Sequence, residues 1–179
     1  PAPAGVFLRG GEHHRREDAK EDPSWRGRII NTASMAGLVN APNMGVYNVT
    51  KHAVVSLSET LYQDLKLVTD QVSASVLCPY FVPTGIHESH RNRPRETMTK
   101  PTKSQLVAQV MSSKAVSSGK VTAADVARLT FEAIDAGQFY IFSHVFAPKL
   151  AAARLDDVAN GRNPSDPFAD KPEIGEGLK

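Results

Sequence analysis

The sequence predicts an α/β fold in which short buried strands alternate with helices and lie parallel in one sheet. Three segments carry that prediction. Residues 28–33 (Arg28-Ile29-Ile30-Asn31-Thr32-Ala33) form a β-prone run after Gly27 and read as a buried strand ending near Ser34. The stretch after Tyr47 repeats Val54, Leu57, Leu61 and Leu65 at helical intervals, with Ser56, Ser58, Glu59, Gln63, Asp64 and Lys66 between them and no Pro or Gly. Residues 73–78 (Ser73-Ala74-Ser75-Val76-Leu77-Cys78) are small or apolar, which suits a strand covered on both faces. Strand, long helix and strand in that order demand a parallel, right-handed crossover.

The remaining elements follow in chain order. Residues 1–18 are Pro/Ala/Gly-rich and then charged, with little periodicity, and are expected to be poorly ordered and solvated. Asp22-Pro23-Ser24-Trp25-Arg26-Gly27 reads as the loop before the first strand, with Trp25 as a loop-packing aromatic. Gly37, Pro42 and Gly45 give the segment after Ser34 loop chemistry. Residues 85–121 are polar, with Pro94 and Pro101. Within them residues 104–114 carry Leu106, Val107, Val110 and Met111, an amphipathic helix whose apolar side lines either a pocket or the core.

His87, His90, Arg91 and Arg93 read as an exposed basic loop rather than an anion site. The two histidines have no Cys or paired carboxylates at ligand spacing, so no metal site is expected. Thr122-Ala123-Ala124-Asp125 fits a helix N-cap, followed by Val126, Leu129, Ala133 and Ile134 at helical spacing and Gly137 at the end. Residues 139–142 (Phe139-Tyr140-Ile141-Phe142) read as a buried strand, and residues 145–160 as a helix with Leu150, Ala153 and Leu155. Residues 161–179 read as an irregular tail.

Composition bounds the function classes. The chain of 179 residues, 41% hydrophobic and 22% charged, is long enough for one domain with a sizeable core. A net charge of +2 argues for neither nucleic-acid nor membrane partners. There is no run of 18 apolar residues to form a membrane span, and Val6-Phe7-Leu8 is too short for the apolar middle of a signal peptide. The lone Cys78 excludes an internal disulfide and suits a reducing cytoplasm, and its apolar strand marks it as an inert buried thiol.

The residues with chemistry are Ser34, Tyr47 and Lys51. Tyr47 and Lys51 are i and i+4 and share one helical face. A phenol with an unperturbed pKa of about 10 is a poor acid or base near neutrality. A cation one turn away favours the phenolate and lowers that pKa. A serine hydroxyl nearby can hold the oxygen of a carbonyl or alcohol, so the three form a proton-transfer device for alcohol/carbonyl chemistry. Ser34 and Pro79 fall at the carboxyl ends of the two predicted strands, where sites lie in parallel sheets.

On these residues the chain resembles the short-chain dehydrogenase/reductase family. Residues 27–37, ending Asn31-Thr32-Ala33-Ser34-Met35-Ala36-Gly37, resemble its strand with the catalytic serine, and Tyr47-Asn48-Val49-Thr50-Lys51 matches its Tyr-x-x-x-Lys. Pro79-Tyr80-Phe81-Val82-Pro83-Thr84 resembles its Pro-Gly-x-Val-x-Thr segment, with Tyr80 in place of the glycine. The resemblance runs from about Ala19 to the C-terminus. It implies a Rossmann-like, doubly wound parallel sheet with helices on both faces, of which residues 19–160 form the C-terminal part.

The resemblance also implies roles. Tyr47 would be general acid in reduction and general base in oxidation, and Ser34 would orient the substrate oxygen. Lys51 would support the Tyr47 phenolate and hydrogen-bond the nicotinamide ribose. Pro79, Tyr80, Val82 and Thr84 would lie against the nicotinamide end of NAD or NADP, Val82 through its backbone and Thr84 through its hydroxyl. The substrate would be a small alcohol or carbonyl compound, and the family suggests a homo-oligomer. Residues 85–121 would be the substrate loop and lid.

Two family features have no counterpart here. The Gly-rich strand-turn-helix that cradles a pyrophosphate is missing: Gly5, Gly10 and Gly11 are followed by Glu12-His13-His14-Arg15-Arg16 rather than an apolar helix. Residues 1–30 contain no Asn, so the family's helix-borne active-site Asn has no candidate. The chain is therefore expected to be the C-terminal half to two-thirds of such an enzyme. An inactive fragment or an interaction module unable to bind dinucleotide is the alternative reading.

Overall fold

The computed structural model describes residues 22–94, 96, 100–169, 172 and 176. The expectation for residues 1–18 lies outside the described residues. In chain order the elements are β1 (Gly27–Thr32), a 3₁₀ turn (Met35–Gly37), α1 (Gly45–Val68), β2 (Val72–Cys78), a 3₁₀ segment (Gly85–Asn92), α2 (Lys103–Ser117), α3 (Ala123–Asp135), β3 (Tyr140–Phe142) and α4 (Ala147–Ala159).

Among the described residues the strands form one parallel sheet in the order β1-β2-β3. β1 pairs with β2 from Gly27↔Val72 to Thr32↔Leu77, and β2 with β3 from Val76↔Tyr140 to Cys78↔Phe142. The fold is α/β and Rossmann-like, with helices on both faces. Alternation along β1 shows this. Asn31 Nδ2 donates to Ser58 Oγ on α1 across 3.0 Å. Arg28, of opposite parity, reaches the Ile134 carbonyl on α3 across 3.2 Å and lies 3.4 Å from Ser75 Oγ. Both crossovers step the same way across the sheet but pass over opposite faces, so the right-handed rule holds for only one of them.

The core sits between α1 and the sheet. Ala33, Met35, Val55, Val76, Cys78 and Ala147 are buried together, flanked by Leu38, Val54, Tyr80 and Phe142. Each buried Val or Met here contributes about 1.5–3 kcal/mol of transfer free energy. Ser58 is fully buried in this layer. Its hydroxyl donates to the Val54 carbonyl at 2.7 Å while accepting from Asn31, so burial leaves it satisfied.

Local chemistry sets the helix limits. α3 starts with a reciprocal capping box between Thr122 and Asp125, and Gly137, at φ +67°, follows its end. The Thr122 bonds hold the Asp125 carboxyl below the usual range. α2 has the same device in Thr102 and Gln105 and so begins one residue before the apolar pattern that predicts it. Leu106, Val107 and Val110 on α2 are exposed, and among the described residues of that helix only Val116 is buried. α4 starts at Ala147 rather than 145, with Pro148 in its first turn. Beyond it, the buried Asp157 accepts from Ser165 N and Oγ and from Arg162 Nε, tying residues 162–165 back to α4.

Candidate active site

Ser34 leaves β1 at the carboxyl end of the sheet and caps the 3₁₀ turn, accepting from Ala36 N at 3.2 Å. Its hydroxyl also donates to the Pro79 carbonyl at 3.4 Å, and Met35 N donates to the same oxygen at 2.9 Å. The ends of β1 and β2 are thereby joined through one carbonyl.

Tyr47 lies in the first turn of α1 and is half-buried. Asn48 beside it is buried, and its amide donates to the Ala41 carbonyl at 3.1 Å, pinning the preceding loop to the helix. Lys51 stands one turn on. Its ammonium lies 5.7 Å from the centre of the Tyr47 ring and donates to the Thr32 carbonyl at 3.2 Å. Thr32 is the last residue of β1, two before Ser34. Lysine and serine are thus fixed on the same strand end, with the tyrosine ring against the lysine. The Tyr47 hydroxyl makes no hydrogen bond among the described residues, and none joins it to Ser34.

The segment after β2 carries the other predicted residues. Pro79 joins Ser34 through its carbonyl. Tyr80 is half-buried, meeting the rings of Phe81, His144 and Phe146 edge-on at centroid distances of 4.5, 5.5 and 5.2 Å. Burial raises the Tyr80 phenol above its usual range and lowers the His144 imidazole. Tyr80 therefore meets its neighbours in an aromatic cluster beyond β3. Val82 is half-buried and Thr84 exposed. The Thr84 carbonyl accepts from His87 Nδ1 at 2.9 Å.

A cavity of about 300 Å³ opens beside Thr84, lined also by Pro83, Gly85, His87, Val116 and Ser117. The basic loop is partly neutralised from within, since Arg91 pairs with Glu88 at 2.8 Å. A larger hollow of about 430 Å³ lies at the amino ends of the strands by Arg28, Tyr62 and Lys66, away from every predicted site residue.

Ser143 went unread in the sequence. It is buried at the carboxyl end of β3, where its Oγ accepts from Tyr80 N at 2.9 Å. The signal was a Ser-His pair directly after a buried strand, at the sheet edge where sites collect.

The residues that the family resemblance would set beside a nicotinamide have chemistry that suits a dinucleotide. Lys51 spends one N–H on Thr32 and keeps donors for a ribose hydroxyl. No strand-turn-helix with a Gly-rich turn occurs among the described residues to meet the pyrophosphate.

A parallel α/β sheet with helices on both faces defines a Rossmann-like protein, and Ser34 and Lys51 are fixed at the carboxyl edge of that sheet. Comparison with known proteins agrees. The short chain dehydrogenase family model matches residues 21–95. The chain is 31% identical over 122 residues to a CLA biosynthesis dehydrogenase/reductase of Lactiplantibacillus plantarum, covering 65% of this chain and 42% of that protein. It is 32% identical over 138 residues to 1-deoxy-11-beta-hydroxypentalenate dehydrogenase of Streptomyces arenae, covering 74% and 42%. A crystal structure of a short chain dehydrogenase/reductase from Burkholderia phymatum in complex with NAD superposes with TM-score 0.77 at 49% identity, covering 80% of this chain and 52% of that one. The chain belongs to the short-chain dehydrogenase/reductase family. It spans less than half the length of these curated relatives and about half of the solved chain.

Proposed function

We propose that this chain carries the alcohol/carbonyl site of an NAD- or NADP-dependent oxidoreductase interconverting a secondary alcohol and a ketone. The observation that supports it is Lys51 bound to the end of β1 with the Tyr47 ring against it, two residues from Ser34. A nicotinamide dinucleotide would supply the hydride chemistry when bound. Ser34 hydrogen-bonds the substrate oxygen, and Tyr47 gives that oxygen a proton in reduction and takes it back in oxidation. Lys51 favours the phenolate and binds the nicotinamide ribose through its remaining donors. The Val82 backbone and the Thr84 hydroxyl meet the nicotinamide end, with Pro79 and Tyr80 shaping that wall.

NAD in the Burkholderia phymatum relative supports a nicotinamide dinucleotide here and leaves the choice between NAD and NADP open. The substrate is a small molecule bound beside residues 85–121. Val46 and Val49, 83% and 70% exposed on α1, favour a homo-oligomer through that helix. The single buried Cys78 suits a reducing cytoplasm.

The test is oxidation of secondary alcohols by the 179-residue chain at saturating dinucleotide, with Tyr47→Phe beside it. Activity above the Tyr47→Phe background supports the reading, and none at a dinucleotide concentration that calorimetry shows to be bound contradicts it. Without a pyrophosphate cradle in the sequence, binding of NAD or NADP to this chain is expected to be weak or absent, and tight binding by calorimetry would refute that expectation.

A further inference from the structure

We propose that Ser143 is a positioning residue: it fixes the Pro79–Tyr80 peptide against which the Ser34 hydroxyl rests. The inference builds on the reading of Ser34 as the group that holds the substrate oxygen.

That peptide is gripped at both ends. Its carbonyl accepts from Met35 N at 2.9 Å and from Ser34 Oγ at 3.4 Å. Its N–H, on Tyr80, donates to Ser143 Oγ at 2.9 Å. A peptide unit is planar, so bonds to its N–H and its C=O together set its rotation about the chain. Ser143 is 4% exposed, so little water reaches it to replace a lost partner. Its hydroxyl is itself held 2.9 Å from His144 Nδ1. The Tyr80 ring packs edge-on against His144 and Phe146, from the same segment as Ser143.

Three strand ends meet here. β1 contributes Ser34 and Met35, β2 the peptide, and β3 Ser143. Removing the Ser143 hydroxyl leaves the Tyr80 N–H unpaired and frees the peptide to turn. The Pro79 carbonyl then moves relative to Ser34 and Met35. A residue of merely local importance would disturb Tyr80 alone.

The experiment is amide hydrogen exchange by NMR on the isotopically labelled 179-residue chain, comparing wild type, Ser143→Ala and Ser143→Thr. In Ser143→Ala, exchange is expected to quicken about tenfold at Tyr80 and several-fold at Met35, with the Ser34 Cβ resonance shifted and the β1–β2 ladder amides unchanged. Ser143→Thr keeps the hydroxyl and restores all three. If Ser143→Ala does not fold, Ser143→Cys, a weaker acceptor of similar size, carries the comparison and is expected to lie between wild type and the fully exchanging state. Unchanged exchange at Tyr80, or a change confined to Tyr80 with Met35 and Ser34 unmoved, overturns the proposal. Saturation-transfer NMR with NAD on the same samples separates the two readings. No saturation passed from the wild-type chain to NAD counts against the dinucleotide reading alone, because the exchange result stands without any ligand.

Discussion

Gly37 lies flat against the backbone carbonyl of Lys51. A Cβ added at Gly37 would stand 2.6 Å from that oxygen and 2.8 Å from Val55 Cγ2. The turn that follows Ser34 is thus seated directly on the helix that presents Tyr47 and Lys51. Gly37→Ala must push turn and helix apart, which overpacking data put at about 1–3 kcal/mol. Urea unfolding should show that loss. The same displacement carries Ser34 away from Lys51, so any dehydrogenase activity should fall as well. A variant of wild-type stability would mean that the turn is not seated there.

Lys51 has two tasks that substitution can separate. Lys51→Met removes both the cation beside Tyr47 and the bond to Thr32, whereas Lys51→Arg keeps a charge with a different reach. The expected loss of alcohol oxidation is about 100-fold or more for Lys51→Met, in the range of acid–base contributions, with a smaller loss for Lys51→Arg. An unchanged rate in Lys51→Met would remove Lys51 from the proton chemistry.

Much of this was legible because local rules and tertiary need agreed. The β1 run centres on Ile29 and Ile30 directly after Gly27, and the β2 run is small or apolar throughout, so their ends could be read within a residue. The Thr122 and Asp125 pair could be read as a cap because capping is a contact between neighbours in sequence. The nearness of Lys51 to Tyr47 could be read because the two are one helical turn apart on α1. Ser143 was marked only by its place, a Ser-His pair after a strand, because its partner Tyr80 is distant in sequence and nothing in a strand-end serine names its acceptor role. The same holds for Thr32, which acts through a backbone carbonyl and so leaves no mark on residue identity. On α2 the apolar residues follow a helical pattern yet stay exposed, because periodicity specifies a face and not what covers it.

Cys78 is fully buried in β2, and burial pushes its thiol up to about 11. Only the thiolate attacks disulfide reagents. At pH 8 a thiol-exchange reagent should therefore label the native chain no faster than the chain opens, and label it completely in urea. Rapid stoichiometric labelling of the folded chain would show that β2 is more open than its packing against Val55 and Ala33 implies.

Tyr140 and Glu59 tie β3 to α1, the phenol donating to the carboxylate at 2.5 Å. Burial first, then the bond and charge of Glu59, push the Tyr140 phenol up to about 12. An unfolded tyrosine ionises near about 10. The fold therefore favours the neutral phenol, and the pair's contribution to stability is complete below about pH 10. It is lost as pH rises from there toward about 12, where a phenolate would face a carboxylate. Phenolate absorbance of wild type minus Tyr140→Phe isolates this titration from those of Tyr47, Tyr62 and Tyr80. Glu59→Gln keeps an acceptor but removes the charge, so it should lower the Tyr140 midpoint and leave less stability to lose on the alkaline side. If Tyr140 titrates near 10 in the folded chain and Glu59→Gln does not move it, the contact between α1 and β3 contributes nothing to holding the strand edge on the helix.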